Sequence, residues 1–242
     1  MSEARAPYRF AVYWAPPRHT ALAQIGEAWL GRSAEDDRCV RGPSLAGFDA
    51  AELARATAEP RRYGLHATLK PPFRLADGRS TAELEAALAE FAREQPGVAA
   101  APLRLKRIGR FLALVPGARS AVLDALAATC VERFDRFRAP ADTAELSRRR
   151  AAGLTASQET NLVRWGYPYV MEDFRFHVSL TGTVEPALAE RLEPALAEHF
   201  AEALSVPLEI GELALSIEPA PGAPFRALRR FELAGAAKRR GI

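Results

Sequence analysis

Two four-residue segments, His66-Ala67-Thr68-Leu69 and His177-Val178-Ser179-Leu180, repeat one pattern at matching places in the two halves of the chain. In each, a hydroxyl residue follows the histidine by two positions and a leucine closes the motif. The surrounding text, YGLHATLKPPF and FRFHVSLTGTV, reads as strand. Strand side chains alternate between faces, so His66 and Thr68 point one way while Ala67 and Leu69 point the other. His177 and Ser179 stand against Val178 and Leu180 in the same manner. Each motif therefore needs a buried apolar face on one side, and it presents an imidazole with a hydroxyl on the other.

The rest of the chain repeats one order of elements around these motifs: a histidine-bearing strand, a helix, then a strand pair. Residues 8–14 read as an opening strand, and ALAQIGEAWLG as a helix stopped at Gly31. The stretch 33–62 reads as loop with a short helix at AAELARAT, and Pro71 and Pro72 are expected to end the first motif's strand. STAELEAALAEFARE has Ser80 and Glu83 at capping-box spacing. LRLKRIGRFLALV predicts a hairpin about Gly109. In the second half SAVLDALAATCVERFDRF is a helix, PALAERLEPALAEHFAEAL a helix bent or interrupted at Pro194, and VPLEIGELALSIEP and PFRALRRFEL are strands. The expected fold class is α+β, with two β-α-β-β-type lobes and antiparallel sheets around a central cleft. It forms a single bilobal domain, lobe 1 about 1–117 and lobe 2 about 118–242, with an inserted helical segment at 138–174 that is a candidate lid.

Composition excludes several classes. No run of about 20 apolar residues exists to cross a membrane, and the opening MSEARAPYRFAVYW lacks the build of a signal peptide. The expected location is the cytoplasm. Cys39 and Cys130 belong to no ligand cluster and read as reduced core thiols. The formal charge of +3 is carried mostly by scattered arginine, which suits either a solvated surface or an anionic small-molecule substrate. No basic run long enough for duplex nucleic acid occurs.

The paired motifs suit phosphoryl chemistry. An imidazole exchanges protons near neutral pH, and opening a cyclic phosphodiester needs one group to activate water and another to protonate the leaving oxygen. His66 and His177 are the candidate pair, with no metal or cofactor required, and Thr68 and Ser179 are candidate donors to the phosphate oxygens. By the same period of two, Lys70 falls on the face of His66, and Arg175 and Thr181 on the face of His177; all three are candidate phosphate contacts. Lys70 has the alternative of snorkelling to solvent, and Arg175 of pairing with Glu172 or Asp173. Trp165 and Tyr169, with Tyr167 between them, either stack on a base or sugar or pack the insertion down. Arg148, Arg149 and Arg150 are a solvated helix face or a phosphate clamp. His19 and His199 read as structural. Two other functions stay open: a non-catalytic nucleotide- or RNA-binding module, and an RNA-processing enzyme acting on 2′,3′-cyclic phosphate ends.

HATL and HVSL resemble the paired H-x-[ST]-hydrophobic motifs of the two-histidine (2H) phosphoesterase superfamily, and LRLKRIGRFLALV is similar to its central segment. The longer strings RYGLHATLKPPF, FDRFRAP, GLTASQETNLVRWGYPYV and FRFHVSL resemble a bacterial subfamily whose genes accompany those of the carbon–phosphorus lyase phosphonate pathway. The resemblance implies a bilobal fold with a two-histidine cleft and hydrolysis of a cyclic phosphate. In the phosphonate setting this would be a ribose cyclic phosphate. His66, Thr68, His177 and Ser179 match the family pattern residue by residue, with Ser179 keeping the hydroxyl of the more usual threonine. The insertion is not typical of the smaller members, so their substrate preference is not implied.

Overall fold

The computed structural model describes residues 7–235. The first six residues of the expected lobe 1 and the closing basic Lys238-Arg239-Arg240 lie outside the described residues. In chain order the elements are β1 (Arg9–Trp14), α1 (Ala21–Leu30), a small hairpin of β2 (Arg32–Ser33) and β3 (Arg38–Cys39), α2 (Ala50–Tyr63), β4 (Ala67–Phe73) and α3 (Thr81–Glu94). Then come β5 (Val98–Ala100), β6 (Leu103–Ile108), β7 (Phe111–Pro116), α4 (Ala121–Phe134), α5 (Thr143–Arg150) and α6 (Ala156–Trp165). The chain continues through β8 (Val178–Ser179), α7 (Pro186–His199), β9 (Leu208–Ile210), β10 (Glu212–Glu218) and β11 (Arg226–Glu232).

Seven strands form one sheet in the order β11-β10-β1-β4-β8-β7-β6, with every pairing antiparallel. The fold is α+β, as expected. Lobes drawn as the two halves of the chain do not follow this sheet. Strand β1 of the first half pairs with β10 of the second and β4 with β8, while β8 pairs on its other side with β7 of the first. Element order repeats, but the strands are interleaved, and that interleaving makes the two histidine strands neighbours.

One face of the sheet carries the core. Phe10, Val12 and Trp14 of β1, Leu112 and Leu114 of β7, and Val178 and Leu180 around β8 all belong to it. Helices α3, α4 and α7 pack against the strands of this sheet. The alternate residues Ala11 and Tyr13 lie in a separate buried cluster with Phe225, on the opposite face. That face carries the motifs.

Local chemistry explains most boundaries. Ser80 and Glu83 close the expected capping box, Gly31 ends α1 in the left-handed conformation, and Gly109 turns the β6–β7 hairpin with φ +57. Other boundaries differ from expectation. Strand β4 runs through Pro71 and Pro72 to Phe73, because its pairing with β1 is irregular there and an irregular ladder tolerates missing donors. Helix α2 extends to Tyr63 despite Pro60. Pro60 has no N–H for the Ala56 carbonyl four residues back, and that carbonyl instead accepts from the N–H of Gly182, at 2.8 Å. The substitution ties α2 to the chain leaving β8. Helix α7 is continuous through Pro194. Cys130 is buried, but Cys39 is exposed on the small hairpin rather than in the core, and both thiols are free. Among the described residues, no helix is long and apolar enough to cross a membrane.

Candidate active site

The pairing of Ala67 with Val178 joins β4 to β8. Counting one residue outward in an antiparallel ladder puts Thr68 opposite His177 and His66 opposite Ser179. All four side chains lie away from the core, since Ala67 and Val178 between them are fully buried. Diagonal neighbours across such a ladder stand about 7–8 Å apart, a separation that admits one phosphate between the two imidazoles.

Both histidines are held in the same way. His66 Nδ1 meets the carbonyl of Gly64 at 2.9 Å, and His177 Nδ1 meets the carbonyl of Arg175 at 2.7 Å. A carbonyl only accepts, so each Nδ1 carries a hydrogen and each Nε2 is left to face a reactant. In His66 the Nε2 accepts from the Thr68 hydroxyl at 3.2 Å. The Gly64 carbonyl is aimed by a backbone with φ 75 and ψ 177. A Cβ there would lie 2.4 Å from the Ala34 Cβ, so the position demands glycine on both counts.

Aromatic side chains wall the two imidazoles. Tyr13, buried, has its ring centroid 3.9 Å from that of His66, and Tyr63 lies at 5.9 Å. Phe111 stands 5.9 Å from His177. Burial in this setting, with a smaller contribution from the nearby His177, pushes the His66 pKa down to about 4 against the opposing Gly64 hydrogen bond. His66 is therefore neutral at neutral pH. In the unfolded chain it titrates near 6.5, so between about 6.5 and 4 the unfolded state holds more protons than the folded one. Stability is then lost as pH falls through that window. Urea unfolding at pH 7, 5.5 and 4.5 is expected to show a steeper acid loss for wild type than for His66→Gln. Equal slopes would return His66 to its ordinary pKa.

Two expected phosphate contacts, Lys70 and Thr181, are placed elsewhere, and the third, Arg175, is engaged with backbone carbonyls. Lys70 is 1 % exposed; its Nζ donates to the Val131 carbonyl at 3.0 Å and pairs with Asp135 at 3.2 Å. The cause is a bulge: Thr68 pairs with Tyr13, but Lys70 pairs with Val12, so one extra residue turns Lys70 from the motif face to the core face. Thr181 is 2 % exposed, and its hydroxyl accepts from the Leu112 N–H at 3.0 Å, bracing β7. Arg175 does share the solvent-facing alternation of His177, but its guanidinium donates to the carbonyls of Glu172 and Phe174. Its own carbonyl is what orients His177. Glu172 and Asp173, its expected partners, instead accept from Ser157.

Within 138–174 the chain forms helices α5 and α6. Trp165 is half-buried with the Arg164 guanidinium 4.5 Å from its ring, and Tyr169 is 44 % exposed. It is the residue between them, Tyr167, that comes within electrostatic reach of Tyr13 and Tyr63. Burial raises the Tyr167 hydroxyl pKa against the pull of Arg149, with Tyr169 and Tyr63 adding to the rise. Arg149 lies 4.4 Å over its ring. The sequence groups Tyr167 with Trp165 and Tyr169 and gives Tyr13 and Tyr63 no motif of their own. Period two in β1 would have set Tyr13 apart from Phe10, Val12 and Trp14. A cavity of ≈ 590 Å³ lined by Trp14, His19, Leu22, Val98 and Leu208 contains neither motif. Among the described residues no cluster of His, Cys, Asp and Glu is arranged to hold a metal ion.

The chain thus sets one His-x-[Ser/Thr]-hydrophobic motif at each of two neighbouring central strands of an antiparallel α+β sheet. It belongs to the family described as "Protein of unknown function (DUF1045)", matched over residues 68–226. Two relatives carry the name ribose 1,5-bisphosphate phosphokinase PhnN. The one from Janthinobacterium sp. (strain Marseille) is 38% identical over 97% of this chain and 52% of its own length. That from Laribacter hongkongensis (strain HLHK9) is 40% identical over 91% and 51%. The chain thus spans about half the length of the curated relatives it matches. Among solved structures, E. coli LigT complexed with 3′-AMP overlaps with a TM-score of 0.41 and 16% identity, over 94% of this chain and 98% of that one. Kluyveromyces marxianus Usb1 overlaps with a TM-score of 0.36 and 11% identity, over 92% and 98%.

Proposed function

We propose that this chain hydrolyses a cyclic phosphodiester, a ribose or nucleotide cyclic phosphate, with His66 as base and His177 as acid. The observation that supports it is the doubled device: two imidazoles on neighbouring strands, each tied through Nδ1 to the carbonyl two residues back, each across from the other motif's hydroxyl. Water attacks phosphorus as His66 Nε2 takes its proton. The ring P–O bond breaks, and the departing oxygen takes the proton of His177 Nε2, leaving a phosphomonoester and a free hydroxyl. Solvent exchange then resets both rings. The Ser179 hydroxyl, and that of Thr68 once it turns from His66 Nε2, donate to the non-bridging oxygens, where negative charge concentrates. A depressed pKa keeps His66 unprotonated for its role.

The named relatives favour phosphorylated ribose as the substrate class. A phosphokinase activity within this chain is less well supported. Its three lysines are followed by Pro71, Arg107 and Arg239, so no Gly-x-x-x-x-Gly-Lys-[Ser/Thr] phosphate loop occurs. The test is a panel of ribose 1,2-cyclic and nucleoside 2′,3′-cyclic phosphates followed by phosphorus NMR, with EDTA present. One cyclic phosphate is expected to open to a single monoester. Loss of turnover with EDTA would move the chemistry to a metal, and an unchanged panel would sink the hydrolase reading.

A further inference from the structure

The motif face continues past Ser179 onto the edge of the sheet. Ser179 pairs with Ala113 of β7, and Ala113 pairs with Lys106 of β6. Directly paired residues share a face, so His66, Ser179, Ala113 and Lys106 form one row across four strands. Arg104 pairs with Val115, which alternates with Ala113, and so it stands beside Lys106 on the same face. Both are exposed.

What sets these two apart is that their charge is unspent. Other cations placed on this face by their strand partners are neutralised. Arg9 pairs with the fully buried Glu218, which Arg62 also reaches. Arg230, opposite Ala214, pairs with Glu35 and Glu212. Among the described residues Arg104 and Lys106 have no salt bridge and no side-chain hydrogen bond. A lysine on an edge strand also discourages edge-to-edge association, but that role does not require it to share a row with the candidate site.

We infer that Lys106, supported by Arg104, binds a second anionic group of the substrate, so that the preferred substrate is a cyclic phosphodiester carrying a further phosphate. The inference rests on the hydrolase reading for its substrate class. Two strand spacings, about 10 Å, separate Lys106 from Ser179 across Ala113, and a four-carbon stem is long enough to span about half of that gap. The reacting phosphate already has two imidazoles and two hydroxyls. The ammonium ends on the order of 5 Å beyond it, where a second phosphate on the same sugar meets it.

The experiment compares ribose cyclic phosphates with and without a second phosphate on wild type, Lys106→Gln, Arg104→Gln/Lys106→Gln and the control Arg107→Gln. Arg107 pairs with the core residue Leu112 and so lies on the other face. Lys106→Gln is expected to lower the preference for the doubly phosphorylated substrate about 10-fold, through KM rather than kcat, and the double variant further. Arg107→Gln is expected to leave the preference alone. An equal effect of all three, or none from Lys106→Gln, overturns the subsite. Calorimetric titration with ribose 1,5-bisphosphate and ribose 5-phosphate separates the two readings. If no cyclic phosphate is turned over, the hydrolase assignment fails. The subsite still stands if the bisphosphate binds more tightly to wild type and Lys106→Gln removes the difference, and falls if it does not.

Discussion

His66→Ala and His177→Ala are each expected to lower hydrolysis of the cyclic phosphate about 10²–10⁴-fold, the usual worth of a positioned acid or base. The loss should fall on kcat, because each imidazole moves its proton only as the P–O bonds change. The double variant is expected to lose little more than the worse single one, since an acid and a base that act in one step are not independent. Both proteins should stay folded. His177 is only half-buried, and its Nδ1 bond is to a carbonyl in exposed chain. His66 sits against Tyr13, and its removal costs packing but no ladder pairing. Circular dichroism and urea midpoints, measured beside turnover, separate lost chemistry from lost structure. Wild-type turnover in either variant would remove the acid–base pair from the mechanism.

A second large effect belongs to the counter-charge of Lys70, the residue expected from sequence to touch phosphate. Asp135→Ala is expected to destabilise the protein by about 3–5 kcal/mol, because it leaves the ammonium of Lys70 buried with one carbonyl and no counter-charge. Burial already pulls the Lys70 pKa down to about 8, with Asp135 opposing, so the pair sits close to the limit of what the core supports. Asp135 also receives Arg138 at 2.7 Å, and Arg138 donates to the Arg164 carbonyl of the insertion at 3.0 Å. Losing the carboxylate therefore loosens both β4 and the insertion. Lys70→Met, by contrast, removes the buried charge and leaves Asp135 with Arg138. Its cost is expected to stay below about 1.5 kcal/mol. Denaturant unfolding of the two variants decides the matter: a Lys70→Met protein that loses turnover yet keeps its midpoint would restore Lys70 to the substrate.

These residues mark the division between what the chain declares and what folding adds. Local rules sufficed wherever the physics is local. Period two set His66 with Thr68 and His177 with Ser179, Ser80 and Glu83 announced their capping box, and glycine marked the α1 stop and the β6–β7 turn. Lys70 shows where such counting ends. A single bulge, created by how β4 must fit against β1, moved it to the opposite face, and nothing within LKPPF records that fit. The same is true of β8, which pairs over only two residues, and of the exposed Cys39. The interleaving of strands from both halves is likewise a property of the closed sheet, since ladder partners are chosen by non-local burial. Tyr13 and Tyr63 lie far apart in the chain and meet beside His66 only once α2 and β1 have packed. The sequence by itself determined the two imidazole–hydroxyl pairs, because alternation along a strand needs no partner. Only the tertiary structure decided that they face one another, and that Arg104 and Lys106, rather than Lys70, carry free charge on their face.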